Sequence, residues 1–278
     1  MSEILQSLIL GIIQGIGEFL PISSTAHLIL APYFFGWKDP GLVFDVALHI
    51  GTLIAVVAYF WKDWIYILKI FFQNKLFNIQ YSIFNSSEDL KNKYPSNILW
   101  LLIFATVPGA LAGYFLENYA ENYLRNPLII AFFLFFVGLI LYLVDKYRKH
   151  QKTIGEINFK DALIIGFSQA VAVIPGVSRS GSTIIAGLLR GVDREGAARF
   201  SFLLSTPIIF GAAIAKLPNI LDGNFNSVVL FVGVLSSAVS GYFAISFLLK
   251  FIQRVSYALF FWYRLILAVV IVIFYIFH

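Results

Sequence analysis

Two polar segments interrupt long apolar stretches of this sequence, and both carry side chains that could act on a phosphate. The first begins at Gln14 and Glu18 and continues through a Pro21-Ile22-Ser23-Ser24-Thr25 turn to His27. The second reads Pro175-Gly176-Val177-Ser178-Arg179-Ser180-Gly181-Ser182-Thr183. A carboxylate inside an apolar segment costs roughly 2.5–3.5 kcal/mol on insertion scales, and an ionisable residue at such a position is functional by default.

The first segment has the residues of a metal site or an acid–base site. Gln14 and Glu18 are four residues apart and therefore share one helical face, where they would form a polar helix contact, a metal site or a proton site. One of the three hydroxyl residues of the turn could cap the helix that follows. His27 follows Ser24 by three residues and reaches the same face, where it would be a general acid, a base or a nucleophile, or simply pack.

The second segment has the residues of an anion site. Arg179 lies in an apolar region and needs an anionic partner, for which Glu18 is one candidate. The alternative is a phosphate, which would engage the guanidinium, the N–H groups of a helix start and several hydroxyls together, whereas a carboxylate alone would leave donors unused. We favour phosphate. The candidate phosphate-binding residues are Ser23, Thr25, Ser178, Ser180, Gly181 and Thr183.

Three further polar residues, Asp45, His49 and Arg264, lie within apolar stretches. Asp45 and His49 share a helical face at the start of the next apolar stretch, where they would support the site, or Asp45 would cap the helix. Arg264 lies within another apolar stretch, and an ion pair or a lipid headgroup contact would each explain it. The sequence leaves its role open.

The composition predicts an all-α, polytopic integral membrane protein. The 278 residues are 59% hydrophobic and 13% charged, about half of the roughly 25% charged residues of a soluble domain. The absence of cysteine excludes disulfides, zinc–thiolate sites and thiol nucleophiles. Six stretches are long and apolar enough to span a bilayer, at roughly 41–61, 98–117, 127–145, 197–217, 226–249 and 257–277.

Two broken apolar stretches, 4–35 and 161–191, predict re-entrant helical hairpins rather than plain spans. A shift of 155 residues places Leu8, Gly11, Gln14 and Ser23 on Leu163, Gly166, Gln169 and Ser178, which indicates an internal repeat. We therefore expect a single membrane domain, 1–278, with one repeat at about 1–145 and a second at about 160–278.

The net charge of +5 is compatible with nucleic-acid binding, but the positions of the basic residues indicate the topology of a membrane protein instead. With both hairpins re-entrant, 15 of the 20 Lys and Arg residues fall on one face, in the segments 62–97, 146–160, 190–199 and 250–256. This face should be cytoplasmic, with 62–97 as a cytoplasmic loop and both termini outside. The hairpins then enter from opposite faces as an inverted-topology repeat, and this scheme fails if either one spans fully.

Both motifs resemble those of the BacA-type undecaprenyl-pyrophosphate phosphatase family. That family carries Glu or Gln, three residues and Glu, then S-S-T-x-H, and later P-G-x-S-R-S-x-x-T. Here these motifs stand as Gln14-Gly-Ile-Gly-Glu18, Ser23-Ser24-Thr25-Ala26-His27 and Pro175 to Thr183. The resemblance covers essentially the whole chain. It implies hydrolysis of undecaprenyl pyrophosphate at the outer face of the bacterial plasma membrane, recycling of the lipid carrier of cell-wall synthesis, and bacitracin tolerance.

The resemblance also implies roles for individual residues. Glu18, helped by Gln14, would hold a divalent cation, Mg²⁺ or Ca²⁺, although an amide at position 14 weakens any role that needs a second carboxylate. Arg179 would bind phosphate, and His27 would be the base or the nucleophile. Ser24 would be an alternative nucleophile or would relay a proton, and water is a third possible nucleophile. The expected partners are a polyprenyl pyrophosphate lipid, membrane lipids and, in a homodimer, a second copy of the chain, with no nucleic acid.

Two other functions remain open from the sequence. Inverted repeats with broken helices are the architecture of secondary transporters, so the chain could translocate a polyprenyl phosphate as a transporter or flippase. A third option is a non-catalytic protein that binds the lipid and gives bacitracin resistance. Neither of these would release phosphate.

Overall fold

The computed structural model describes residues 2–73, 93–148, 151–222 and 225–277. Within these ranges the chain forms eleven α-helices, one short 3₁₀ turn at Ile154–Glu156 and no β-strand, as the all-α prediction requires. The helices are α1 (Glu3–Phe19), α2 (Ser24–Phe35), α3 (Leu42–Tyr59), α4 (Trp61–Gln73), α5 (Ile98–Tyr123), α6 (Pro127–Tyr147), α7 (Phe159–Val171), α8 (Arg179–Leu189), α9 (Arg194–Asp222), α10 (Ser227–Phe251) and α11 (Ala258–Phe277).

Six of these helices confirm the predicted membrane spans. Helices α3, α5, α6, α9, α10 and α11 are 18 to 29 residues long, and their most apolar windows have mean hydropathies of 1.7 to 2.8. At 1.5 Å per residue, a helix of about 20 residues crosses the roughly 30 Å of hydrocarbon. The chain is therefore a multi-pass membrane protein. Its orientation in the membrane and a homodimer stay predictions.

The two predicted breaks are present, and they have the same local structure. Ser23 and Ser178 precede α2 and α8 with φ angles of 75° and 74°, the two residues other than glycine with positive φ in the described ranges. Each is an N-cap whose Oγ accepts a hydrogen bond from the backbone N–H three residues on, at Ala26 and Gly181. Such strained backbone costs about 1–3 kcal/mol per residue and persists where surrounding contacts hold it. The two serines are the pair that the 155-residue shift superimposes.

Each pair of short helices packs against a long helix of the other predicted repeat. Helix α1 contacts α2 and packs along α10, while α7 contacts α8 and packs along α5. Close approach depends on glycine at Gly166, because a Cβ there would lie 2.8 Å from the Cα of Ala105. Helix α3 contacts α9, and α6 contacts α11. This reciprocal packing is what a twofold repeat requires, while re-entrant insertion and the inverted repeat itself stay predictions.

The predicted cytoplasmic loop 62–97 is partly helical. Helix α4 occupies Trp61–Gln73, and the part of the predicted loop at 74–92 lies outside the described residues. Buried carboxylates on this face are paired with the basic residues found there. Asp161 accepts hydrogen bonds from Lys152 Nζ at 2.6 Å and Arg190 Nε at 2.7 Å, which ties the start of α7 to the end of α8.

Candidate active site

The two breaks are joined by an ion pair between Glu18 and Arg179. Glu18 lies near the end of α1 and is 5% exposed, and Arg179 is the first residue of α8. Nη2 of Arg179 donates to Oε1 of Glu18 at 2.7 Å. The anionic partner of Arg179 in the structure is therefore the Glu18 carboxylate, whereas the sequence favoured a phosphate. Binding of a phosphate at the same guanidinium remains a prediction.

The second oxygen of Glu18 accepts from three other side chains. Ser24 Oγ donates at 2.8 Å and Gln14 Nε2 at 3.1 Å, so the predicted pairing of residues 14 and 18 on one helical face is realised. His49 Nε2 lies 3.3 Å from the same oxygen. Its Nδ1 donates to the carbonyl of Asp45 at 2.7 Å, so Nε2 donates to Glu18 only in the doubly protonated imidazolium, the form that the adjacent carboxylate stabilises. The carboxylate is thus surrounded by donors from α1, α2, α3 and α8.

The remaining nitrogens of Arg179 differ in their contacts. Nη1 donates to the carbonyl of Ser201 in α9 at 2.8 Å. Nε is buried, and no hydrogen-bond partner for it lies among the described residues. A guanidinium presents five N–H donors, so this arginine holds Glu18 while keeping at least one donor for another acceptor.

A cavity of about 520 Å³ opens beside this ion pair, and we call it the central cavity. Its polar lining at the ion pair comes from Glu18, Ser23, Ser24, Thr25, His49, Ser178 and Arg179. The rest of the lining combines apolar residues with charged residues that lie away from this ion pair. The apolar residues include Leu42, Val46, Ala110, Val173, Ile208 and Ala212, and the charged residues are Glu117, Glu121, Arg125 and Lys216. A polar end with apolar walls suits a ligand that has an anionic head and a hydrocarbon tail.

Three of the predicted phosphate-binding residues lie away from the lining of the central cavity. Ser180 Oγ donates to the carbonyl of Leu20 at 3.2 Å, which ties α8 to the first break. Thr183 Oγ1 donates to the carbonyl of Arg179 at 2.8 Å and lies 2.7 Å from Ser201 Oγ. The N–H of Gly181 donates to Ser178 Oγ as part of the helix cap. These groups hold the breaks in place, and from this segment only Ser178 and Arg179, with Pro175, line the cavity.

His27 is also turned away from the central cavity. Its Nδ1 lies 2.7 Å from the carbonyl of Ser23, and its Nε2 lies 2.6 Å from the hydroxyl of Tyr263 on α11. Since the carbonyl can only accept, Nδ1 donates to it and Nε2 accepts from the tyrosine. His27 is not among the residues that line the cavity. Both ring nitrogens are engaged in contacts that position the first break.

Arg264 is the buried residue that connects the two breaks from behind. It is fully buried on α11, where Nε donates to the carbonyl of Pro21 at 2.6 Å and Nη2 to the carbonyl of Val177 at 3.3 Å. Within the described residues it forms no salt bridge, and its burial excludes a headgroup contact. Neither explanation offered from the sequence is correct, because this arginine satisfies backbone carbonyls of both breaks.

Gln14 and Glu18 have the donor atoms that a hard divalent cation requires. Oε1 of Gln14 is buried and without a hydrogen-bond partner among the described residues, and the Glu18 carboxylate lies one helical turn away. Mg²⁺ is usually held by one or two carboxylates together with substrate phosphates and water. The described residues contain no group of three or more His, Cys, Asp or Glu placed to hold a metal. A cation held by this pair would need Oε1 of Gln14 turned toward Glu18, in place of the Nε2 that now donates to it, and a bound phosphate and water as further ligands.

His49 is the residue of this site that the sequence analysis undervalued. It was placed behind the site or left without a role, whereas it lines the central cavity and contacts Glu18. The alternative that Asp45 caps α3 is not realised, because Gly41 is the N-cap and the cap has no side-chain hydrogen bond. The signal available in the sequence was a histidine inside an apolar stretch, the same signal that singled out His27.

The fold and site define a multi-pass membrane protein with a buried carboxylate–guanidinium pair in a cavity suited to an amphiphilic anion. Residues 7–270 match the family model described as bacitracin resistance protein BacA, and the chain belongs to this family. It is 48% identical over 270 residues to an undecaprenyl-diphosphatase of Pelotomaculum thermopropionicum, covering 97% of this chain and 96% of the relative. It is 49% identical over 269 residues to the undecaprenyl-diphosphatase of Moorella thermoacetica, with 97% of each chain covered.

Proposed function

We propose that this protein hydrolyses undecaprenyl pyrophosphate to undecaprenyl phosphate and inorganic phosphate. The observation that carries the proposal is the contact between Glu18 and Arg179 at the polar end of the central cavity. Support also comes from full-length relatives that are named undecaprenyl-diphosphatase. The product would be recycled as the lipid carrier of cell-wall synthesis, and removal of the pyrophosphate lipid would give bacitracin tolerance.

The cavity suits both ends of this substrate. The guanidinium of Arg179 would bind phosphoryl oxygens and stabilise the negative charge that develops during transfer. The apolar walls would accept the first isoprene units, while the rest of the chain stays in the bilayer. In the proposed orientation the protein lies in the bacterial plasma membrane with both termini and the cavity opening on the outer face.

Ser24 is the nucleophile that the geometry favours. Its Oγ lines the central cavity and donates to Glu18 at 2.8 Å, the arrangement of a hydroxyl next to its base. Attack of Oγ on the terminal phosphorus would pass the hydroxyl proton to Glu18 and break the anhydride bond. Undecaprenyl phosphate would leave with the bridging oxygen, and water would then hydrolyse the phosphoserine. His27 is less well placed, because its Nε2 is engaged by Tyr263.

Gln14 and Glu18 would hold the divalent cation. When bound, Mg²⁺ would neutralise charge on the phosphates and act as a Lewis acid toward the transferred group. Ca²⁺ requires six to eight oxygen ligands, so a site with few protein ligands favours Mg²⁺. His49 would keep the Glu18 carboxylate oriented through its Nε2 contact at 3.3 Å.

A second candidate function is translocation of a polyprenyl phosphate. The observation in its favour is the meeting of two broken segments at one cavity, through Glu18 on one side and Arg179 on the other. Transporters that work by alternating access are built in this way. A protein that only binds the lipid is a third candidate and would need no nucleophile beside a base.

Phosphate release by the purified protein separates these functions. The protein in detergent is incubated with undecaprenyl pyrophosphate and Mg²⁺, then with excess EDTA, and inorganic phosphate is measured over time. The phosphatase predicts multiple turnovers that stop with EDTA and resume when Mg²⁺ is restored. A transporter or a binding protein would release no phosphate under either condition. Turnover that persists in EDTA would refute the role of the cation but not the phosphatase activity.

A further inference from the structure

Gln169 on α7 is a buried amide that lines the central cavity and lacks partners. Its side chain is 3% exposed, and within the described ranges neither Nε2 nor Oε1 has a hydrogen bond. Leaving a buried polar group unsatisfied costs about 1–3 kcal/mol, so such a group in a native fold calls for an explanation. A polar residue retained in this state indicates an acceptor or donor that arrives with a ligand.

The comparison with Gln14 shows that this amide is not needed to hold a neighbour. Gln14 and Gln169 are superimposed by the 155-residue shift, but Gln14 donates to Glu18 one turn later, whereas the corresponding position after Gln169 is Val173. The second hairpin therefore has the glutamine without the carboxylate. Gln169 has no hydrogen-bond partner among the described residues, and its buried side chain lies at the wall of the central cavity.

The packing around Gln169 leaves room for the amide. Gly109 on α5 faces it, and a Cβ at that position would lie 2.7 Å from Nε2 and 3.0 Å from Cγ of Gln169. Since real Cβ atoms do not approach so closely, any larger residue at 109 would push the glutamine aside. Gly109 also lines the central cavity, so the amide keeps its place at the cavity wall.

A second unpartnered donor belongs to Arg179, which lines the same cavity. Nε of Arg179 is buried and has no partner among the described residues, although Nη1 and Nη2 of the same guanidinium are engaged. Two polar groups without partners in one cavity call for a ligand with several acceptor oxygens. A phosphoryl group carries them, and hydrogen bonds to charged groups are the stronger kind.

We propose that Gln169, with Nε of Arg179, forms a second phosphoryl subsite of the central cavity, next to the Glu18 and Ser24 half that Nη2 of the same arginine contacts. This subsite would bind the phosphoryl group that is not attacked, while the terminal group lies at Ser24. The inference rests on the proposed phosphatase function. It assigns Gln169, which lies outside both sequence motifs, to substrate binding.

The variant Gln169→Leu tests the subsite, because leucine keeps the approximate volume and removes both polar atoms. Loss of a hydrogen bond to a charged group should raise KM for undecaprenyl pyrophosphate by about tenfold to a hundredfold, with a smaller change in kcat. The substrate-free variant should unfold at the same or a higher temperature, since an unsatisfied amide has been removed. A residue with a purely structural role would not give this combination.

Two further variants and one inhibitor complete the experiment. Gln169→Glu keeps the shape but places a carboxylate against the phosphate, so its KM should exceed that of the leucine variant. Gln253→Leu is the matched control, because Gln253 is exposed and donates to Glu195 at 3.1 Å away from the cavity. Inorganic phosphate is tested as an inhibitor of each. An inhibition constant that rises with KM means that the subsite also holds free phosphate, and a constant that stays unchanged means that it holds only the lipid-linked group.

The outcomes separate this inference from the function on which it rests. Wild-type protein that releases no phosphate would refute the phosphatase. Wild-type hydrolysis with unchanged KM in both Gln169 variants would overturn the subsite alone. If Gln169→Leu fails to fold, the amide is required for the structure, contrary to its lack of partners. Gln169→Glu is then the deciding variant. An unchanged KM in Gln169→Glu overturns the subsite, and a raised KM supports it.

Discussion

Oε1 of Glu18 lies 2.7 Å from Nη2 of Arg179, and this contact joins two residues that are 161 positions apart in the chain. The carboxylate comes from the first broken segment and the guanidinium from the second. A buried pair of this kind contributes little net stability, because desolvation offsets most of the attraction. Its position at the polar end of the central cavity indicates that the pair is kept for chemistry.

Ser24 should become phosphorylated during turnover. The Ser24 hydroxyl, which donates to Glu18, is the proposed nucleophile, and Ser24→Ala should lower kcat by about a hundredfold or more. Substrate labelled at its terminal phosphate is mixed with enzyme, and parallel samples are quenched in acid and in alkali. Phosphoserine survives acid, whereas phosphohistidine does not, so an acid-stable label lost in Ser24→Ala is expected. A label stable only in alkali would identify His27 instead, and absence of any label would indicate direct attack by water.

His49 should act as a hydrogen-bond donor that orients Glu18. Glutamine can place a donor where Nε2 lies, so His49→Gln should keep most of the wild-type kcat. His49→Leu removes the donor to a charged group and should lower kcat by about tenfold to a hundredfold. The measurement is initial-rate kinetics for both variants in detergent. Equal losses in the two variants would show that the imidazole itself is required.

Arg264 should be required for alignment of the two breaks. Arg264→Met leaves the carbonyls of Pro21 and Val177 without their donor, and each unsatisfied carbonyl should lower stability by about 1–3 kcal/mol. Removal of the buried charge should offset part of this loss. We expect a lower thermal midpoint and at least a tenfold loss of hydrolysis. The control is Arg254→Met, at an exposed position after α10. Wild-type activity in the Arg264 variant would contradict the role of these contacts.

Gln14→Glu should strengthen cation binding. A second carboxylate one turn from Glu18 adds charge to the proposed site, and the Mg²⁺ concentration for half-maximal rate should fall by about an order of magnitude. Without Mg²⁺ the two carboxylates repel each other, so the thermal midpoint of the variant should depend more strongly on Mg²⁺ than that of wild type. An unchanged Mg²⁺ dependence in both measurements would place the cation elsewhere.

Much of the fold could be predicted from the sequence because bilayer spans need only length and apolarity. The stretch 41–61 corresponds to α3 at Leu42–Tyr59, and 257–277 corresponds to α11 at Ala258–Phe277. The stretch 197–217 was too short, since α9 runs over Arg194–Asp222 and contains two prolines. Proline is tolerated in membrane helices, so composition alone does not mark where such a helix ends.

The site could be predicted only in part, because motifs do not give side-chain direction. Glu18 and Arg179 were identified from the cost of burying charge, and the structure brings them together. His27 and His49 are both histidines within apolar stretches, yet their contacts differ. Nε2 of His27 contacts Tyr263 on α11, whereas Nε2 of His49 contacts Glu18. Such contacts depend on how distant helices pack. Arg264 reaches both breaks for the same reason, which no local pattern reveals.

Phosphate release by Glu18→Gln compared with wild type, with Glu195→Gln as the control, tests the role of Glu18 most directly. The substitution keeps the size of the side chain and removes the charge that faces Arg179, Ser24 and His49. Purified proteins of matched thermal stability are assayed with undecaprenyl pyrophosphate and Mg²⁺. We expect wild-type turnover in Glu195→Gln and a loss of about a hundredfold or more in Glu18→Gln. Near-wild-type turnover in Glu18→Gln would contradict the assignment of this carboxylate as the centre of the active site.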